Sequence, residues 1–250
     1  MSFLKKTVSL LITVWLAIIA VLYICVYGGF VILIGMLIGK IKGKEHKKRF
    51  ISREVSRFGR AAFILSGSKV RVTGKENVPK SGPLVIVANH QSAFDIPLIP
   101  GYVYPEISFI AKKELSRIPG ISWFISALDG VYIDRGNRSQ TAGAMRRIVG
   151  LLKDGGTILL FPEGTRSEDG KLGEFKEGSF TIPFKFDIPV LPVALDGTGN
   201  LMKKNSYLIS PSRVRLSIAE PVSPGNFETE VQFREEVYNI IRNTLQSLRD

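Results

Sequence analysis

From Thr7 to Gly39 no position carries a charge, and most are Leu, Ile, Val, Phe, Tyr or Trp. As one helix this block would be about 50 Å long, against a hydrocarbon core of about 30 Å. It far exceeds the apolar region of a secretory signal, about 7–15 residues, so it predicts a retained membrane segment. Gly28-Gly29 divides it into a part of spanning length (7–27) and a shorter one (30–39). That division predicts a helical hairpin hinged at the two glycines and dipping into one leaflet, with a single tilted span as the alternative. Trp15, Tyr23 and Tyr27 are either interfacial anchors or helix-packing residues.

Beyond residue 65 the pattern changes to short β-branched runs alternating with helical spacing. The stretch 69–72 alternates polar and apolar. The run 84–88 is continuously apolar, as in a central strand buried on both faces. Further strands are predicted at 107–111, 131–133, 157–161, 189–195 and 214–218. The segment 139–153 has helical spacing with Ala142, Met145, Ile148, Val149 and Leu152 on one side, and Gly155-Gly156 ends it. A terminal amphipathic helix at 228–249 carries Val237, Ile240, Ile241, Leu245 and Leu248 as its apolar stripe. The alternation predicts an α/β fold: a mixed, mostly parallel sheet flanked by helices, following the N-terminal membrane-embedded segment. We divide the chain into a membrane-anchoring segment with its basic juxtamembrane stretch, 1–60, and an α/β domain, 61–250.

Charge narrows the partners. The formal net charge is +12 over 250 residues, which points to an anionic partner: nucleic acid, an acidic protein or an anionic membrane. Lys5-Lys6 precede the apolar block, and Lys40, Lys42, Lys44, Lys47, Lys48 and Arg49 follow it. Positive charge at both ends predicts that both stay on the cytoplasmic side, with residues 7–39 anchoring the chain to the cytoplasmic membrane. The basic stretch 40–60 suits anionic lipid headgroups better than nucleic acid because it adjoins that block. The one cysteine, Cys25, lies inside the apolar segment and excludes an internal disulfide and a multi-cysteine metal site. No other cluster suggests a metal.

The chain has two histidines, His46 in the lysine-rich stretch and His90 directly after the apolar run 84–88. His90 therefore falls at the carboxyl end of a strand, where α/β sheets present their chemistry. Asp95 follows five residues later. On a continuous helix the two would point about 140° apart, so they meet only if the loop folds back. In that case they form a base and its orienter without a serine, and the nucleophile is a substrate hydroxyl. Equally, His90 caps a turn and Asp95 is a helix N-cap. Three other strand ends carry cations: Lys112 and Lys113, Arg135, and Arg166 within Pro162-Glu163-Gly164-Thr165-Arg166-Ser167. Two guanidinium forks and a lysine at one sheet edge could hold a phosphate monoester, with Gly164 allowing close backbone approach.

These blocks, in this order, resemble the glycerolipid acyltransferase family over residues 65–220. The resemblance lies in His-x4-Asp (His90 to Asp95, preceded by Asn89), Tyr132-Ile133-Asp134-Arg135, Phe-Pro-Glu-Gly-Thr-Arg-Ser (161–167), and Ile188-Pro189-Val190-Leu191-Pro192-Val193. It implies that His90 is the general base and Asp95 its orienter. It implies that Arg135 and Arg166 bind phosphate, and that Glu163 organises the loop or touches the glycerol. Lys112 and Lys113 extend that set by position. The implied reaction is acyl transfer from acyl-CoA or acyl carrier protein to the sn-2 hydroxyl of lysophosphatidic acid, without metal or organic cofactor. Glycerol 3-phosphate or another lysophospholipid is the alternative acceptor. Two rivals share parts of the pattern: a thioester hydrolase activating water through His90, and a basic membrane-attached binding module.

Overall fold

The computed structural model describes residues 3–134, 136, 138–167 and 170–250. The N-terminal apolar block is helical from α1 (Phe3–Val21) through a wide i→i+5 turn, Leu22–Tyr27, into α2 (Gly28–Lys42). There is no hinge at Gly28-Gly29: Gly28 is helical, at φ −59° and ψ −36°. Its role is close packing. A β-carbon on Gly28 would lie 2.8 Å from Cε2 of Phe124 in α5 (Ile121–Ala127). A lipid-exposed reversal there would also have left backbone groups without partners. The chain turns instead at Gly43, φ 93°, and α3 (Lys44–Leu65) returns along α2.

The long helix is two-faced along its whole length. Ser9, Leu16, Val31 and Gly35 are buried, whereas Leu11, Trp15, Leu22, Phe30, Leu37 and Ile41 are exposed. At 3.6 residues per turn, the thirty positions from Leu11 to Ile41 make about 8.3 turns, so the exposed stripe should drift by roughly 120°. The wide turn absorbs about one extra residue, roughly 100°, and keeps the stripe on one side. Tyr27 closes that turn by donating its hydroxyl to Oε2 of the buried Glu54 at 2.8 Å. Near its start the helix is bound to the same domain, through Ser9 Oγ to Ser210 Oγ (2.7 Å) and Thr13 Oγ1 accepting from the Ile209 amide (2.8 Å).

The seven strands are β1 (Lys69–Thr73), β2 (Leu84–Ala88), β3 (Ile107–Lys112), β4 (Val131–Ile133), β5 (Thr157–Leu160), β6 (Val190–Asp196) and β7 (Arg213–Ile218). They form one sheet in the order β1-β7-β6-β2-β5-β3-β4. Strands β6, β2, β5, β3 and β4 run parallel, β7 is antiparallel to β6, and β1 is parallel to β7. Five carboxyl ends therefore share one edge, with β2 between β5 and β6. Every residue of β2 is buried, as its unbroken apolar run requires.

One core layer joins Leu84, Ile86, Leu191 and Val193 to Phe63 of α3 and Leu98 of α4 (Asp95–Tyr102). The other joins Val85, Val87 and Val190 to α6 (Arg138–Lys153) and, past the short α7 (Thr181–Lys185) and α8 (Thr198–Leu201), to α9 (Glu230–Arg249). In α6 the buried line is Ala144, Ile148 and Leu152, while Ala142 and Met145 are exposed. The sheet meets the helix about a fifth of a turn from where the apolar centroid predicts. In α9 the line Phe233, Val237, Ile241 and Leu245 is buried, with Ile240 and Leu248 at its flank. The division at residue 60 falls inside α3, which runs to Leu65 and places Phe63 in the main core; Leu16 of α1 joins the same layer. Anchor and domain thus share a hydrophobic interior.

Candidate active site

Four side chains pin the loop that leaves β2. The Asn89 amide pairs with the Leu195 backbone as a peptide would, Nδ2 donating to its carbonyl at 2.8 Å and Oδ1 accepting from its N–H at 2.7 Å. Gln91 Oε1 accepts from the Gly197 amide at 3.1 Å, and Ser92 Oγ donates to the Met202 carbonyl at 2.9 Å. Asp95, at the first turn of α4, folds back beneath the loop. Its Oδ2 accepts from the Gln91 and Ser92 amides at 2.6 and 2.8 Å and from His90 Nδ1 at 2.9 Å. Four intervening residues are what this return needs: one carboxylate oxygen closes the turn and reaches the imidazole.

Asp95 is fully buried and His90 is 16 % exposed at the side chain. A carboxylate can only accept, so Nδ1 carries the proton and Nε2 keeps its lone pair. The imidazole stacks on Phe161, ring centroids 4.1 Å apart and 18° from parallel. With Nδ1 engaged by Asp95, Nε2 is the ring nitrogen left with a free lone pair. Ser92 is no nucleophile, since its hydroxyl is buried and donated to Met202.

The loop after β5 is bound to His90 at the backbone. The His90 amide donates to Glu163 Oε1 at 2.7 Å, and the Ser167 amide donates to the His90 carbonyl at 2.8 Å. Glu163 Oε2 takes the Gly173 amide at 2.8 Å, so this carboxylate organises two loops rather than facing the crevice. Burial pushes the Glu163 carboxyl upward, with the His90 and Gly173 amides pulling the other way. Gly164 has φ 68°, in the left-handed region, and a β-carbon there would lie 2.9 Å from Lys176 Nζ. Thr165 is exposed and Arg166 half-buried beside it.

The remaining cations lie progressively farther along the edge. Lys112 ends β3, two strands from β2, about 10 Å at 4.7–4.9 Å per strand. Lys113 is already engaged, its ammonium 3.0 Å from both Asp134 Oδ2 and Gln140 Oε1. That contact holds the Asp134 carboxyl below its ordinary range. Arg135 lies outside the described residues. Three groups that were not among the candidate site residues also enter. Phe161 packs on the His90 ring, Lys176 sits over Gly164, and Arg249 Nε reaches Asp196 Oδ1 at 3.1 Å while its Nη2 binds the Gly170 carbonyl. Asp196 ends β6 and Arg249 ends α9, so only the folded chain brings them to the loop.

A family model described as acyltransferase matches residues 69–196. The crystal structure of the 1-acyl-sn-glycerophosphate acyltransferase PlsC from Thermotoga maritima superposes with a TM-score of 0.91 at 41% identity, covering 98% of each chain. A chloroplastic 1-acyl-sn-glycerol-3-phosphate acyltransferase of Arabidopsis thaliana is 38% identical over 156 residues, 62% of this chain. This chain spans 44% of that relative's length. The Saccharomyces cerevisiae 1-acyl-sn-glycerol-3-phosphate acyltransferase is 29% identical over 226 residues, 88% of this chain and 73% of that protein.

Proposed function

The chain belongs to the acyltransferase family, and from that membership we propose that it makes phosphatidic acid by acylating the sn-2 hydroxyl of 1-acyl-glycerol 3-phosphate. The donor is an acyl thioester of coenzyme A or acyl carrier protein. The observation that carries the reading is the His90–Asp95 pair, with a buried carboxylate on Nδ1 and a partly exposed imidazole whose Nε2 is left as the base. In the proposed reaction Nε2 takes the acceptor's hydroxyl proton as the oxygen attacks the thioester carbonyl. The tetrahedral intermediate then expels the thiolate: the C–S bond breaks, the new C–O ester bond remains, and the imidazolium returns its proton to sulfur. Asp95 stabilises that imidazolium. A positioned base of this kind is worth about 10²–10⁴ in rate. This route calls for no metal or organic cofactor, because base, orienter and nucleophilic hydroxyl are complete between protein and substrate.

Holding the acceptor's phosphate beside Arg166 fixes which hydroxyl meets His90, which turns binding into orientation. The amides of His90, Gln91 and Ser92 are already committed to Glu163 and Asp95, so the oxyanion is met by other donors. An apolar cavity of about 350 Å³ lies between α1, α3 and α4, lined by Leu16, Ala20, Phe58, Phe94 and Pro97 among others. It adjoins the catalytic loop at Phe94 and suits an acyl chain.

The membrane placement follows from the two-faced helix. Both its first turns and α2 touch the α/β domain, which supports a helix lying along one leaflet with its exposed stripe in lipid. A perpendicular span would drag the domain into the hydrocarbon. Lysines at both flanks favour the cytoplasmic leaflet, where acyl donors are made and anionic headgroups meet the basic α3. The test is an acceptor panel in vesicles with one acyl-CoA. Phosphatidic acid should form from 1-acylglycerol 3-phosphate in preference to glycerol 3-phosphate or lysophosphatidylcholine. Thiol release independent of acceptor, or full activity of His90→Ala, would refute the reading.

A further inference from the structure

We infer that Lys176 is a second cation for the acceptor's phosphate, acting with Arg166 across the Gly164 turn; this rests on the acceptor assigned above. The segment 173–176 returns beside the 161–167 loop and is joined to it twice, by the Gly173 amide on Glu163 Oε2 and by the Lys176 amide on the Pro162 carbonyl at 3.0 Å. The Lys176 side chain then lies over Gly164. A β-carbon built on Gly164 would fall 2.7 Å from its Cε and 2.9 Å from its Nζ. The Gly164 amide bonds the Phe161 carbonyl at 3.0 Å, closing the turn that Thr165 and Arg166 follow.

Its charge is uncommitted. Among the described residues the Lys176 ammonium makes no ion pair or hydrogen bond, and the neighbouring Glu174 and Glu177 form none with it. Arg166 likewise makes no ion pair among the described residues. Two uncommitted cations therefore adjoin one glycine on the loop whose preceding residue, Glu163, grips the His90 backbone. A phosphate monoester near neutral pH carries close to two negative charges, more than one guanidinium neutralises, and charge-assisted bonds to both cations hold it firmly. Lysine suits this place as a flexible point charge on a long stem, beside the fixed fork of arginine. The steric reason for glycine at 164 follows as well: any side chain would displace the ammonium.

A covering role alone would need only the aliphatic stem, so the test separates stem from charge. Steady-state kinetics with 1-acylglycerol 3-phosphate and acyl-CoA are measured for wild type, Lys176→Met and Lys176→Arg, all in the full chain in vesicles. The expected result for Lys176→Met is a rise of about tenfold or more in KM for the acceptor, with kcat and the acyl-CoA KM within about threefold of wild type. Lys176→Arg should restore most of the loss. Three results would overturn the inference: an unchanged acceptor KM in Lys176→Met, a rise confined to the acyl-CoA KM, or an arginine variant as impaired as the methionine one. Wild-type enzyme inert toward 1-acylglycerol 3-phosphate would instead remove the acceptor reading, and the inference with it.

Discussion

Replacing Asp95 by Asn isolates the charge of the orienting group from its shape. One oxygen, Oδ2, makes all the contacts, to His90 Nδ1 and the Gln91 and Ser92 amides, while Oδ1 is buried without a partner among the described residues. An asparagine can present its own oxygen at the Oδ2 position and keep the loop and the Nδ1–H tautomer. Only the countercharge to the imidazolium is lost. For charge centres about 4 Å apart at an effective dielectric of about 20, that attraction is about 4 kcal/mol. At 1.36 kcal/mol per decade, Asp95→Asn should lower kcat about 10³-fold. The acceptor KM should hold within about threefold, because the cations proposed to hold the phosphate lie on other loops. Two charge-assisted amide bonds become neutral ones, so the fold should weaken by about 1–3 kcal/mol, measurable by urea denaturation. In His90→Ala/Asp95→Asn the second change should cost nothing further, since a carboxylate that acts through the imidazole has no function without it. A kcat within tenfold of wild type in a folded Asp95→Asn enzyme would refute this electrostatic account.

Three other perturbations probe different levels. Arg249→Ala removes the tie from α9 to Asp196 and the Gly170 carbonyl; the pair is exposed, so stability should change by less than about 1 kcal/mol, but the acceptor KM should rise severalfold as the Arg166 loop loosens. Glu163 titrates above its ordinary 4.5 because burial favours the neutral form, so the native state holds its proton longer than the unfolded chain. Its contribution to stability is therefore full below about pH 4.5 and is lost as pH rises through the native value; Glu163→Gln should abolish that slope in denaturation curves taken across the window. Leu33→Glu/Leu37→Glu places two carboxylates in the exposed stripe of α2; forfeiting about 1.5–3 kcal/mol of burial per leucine should reduce vesicle partitioning more than 100-fold in sedimentation, with the α/β sheet still folded.

The sequence by itself determined the seven strands, because each is a short apolar or alternating run bounded by turn residues, and it determined the mostly parallel sheet, because such runs alternate with helical segments. It also placed His90 at the carboxyl edge of the sheet, since that histidine directly follows a doubly buried strand. Two things were beyond it. Gly28 serves close packing against Phe124 rather than a reversal, which falls at Gly43, and no local propensity encodes a partner nearly a hundred positions away. The surroundings of His90 were likewise beyond it. Asp95 was legible because it lies within one loop, but Leu195 comes from β6, Phe161 and Lys176 from the segment after β5, and Arg249 from the last turn of α9. Spacing specifies what a loop can fold back to touch, whereas a sheet that sets β2 between β5 and β6 decides what arrives from elsewhere.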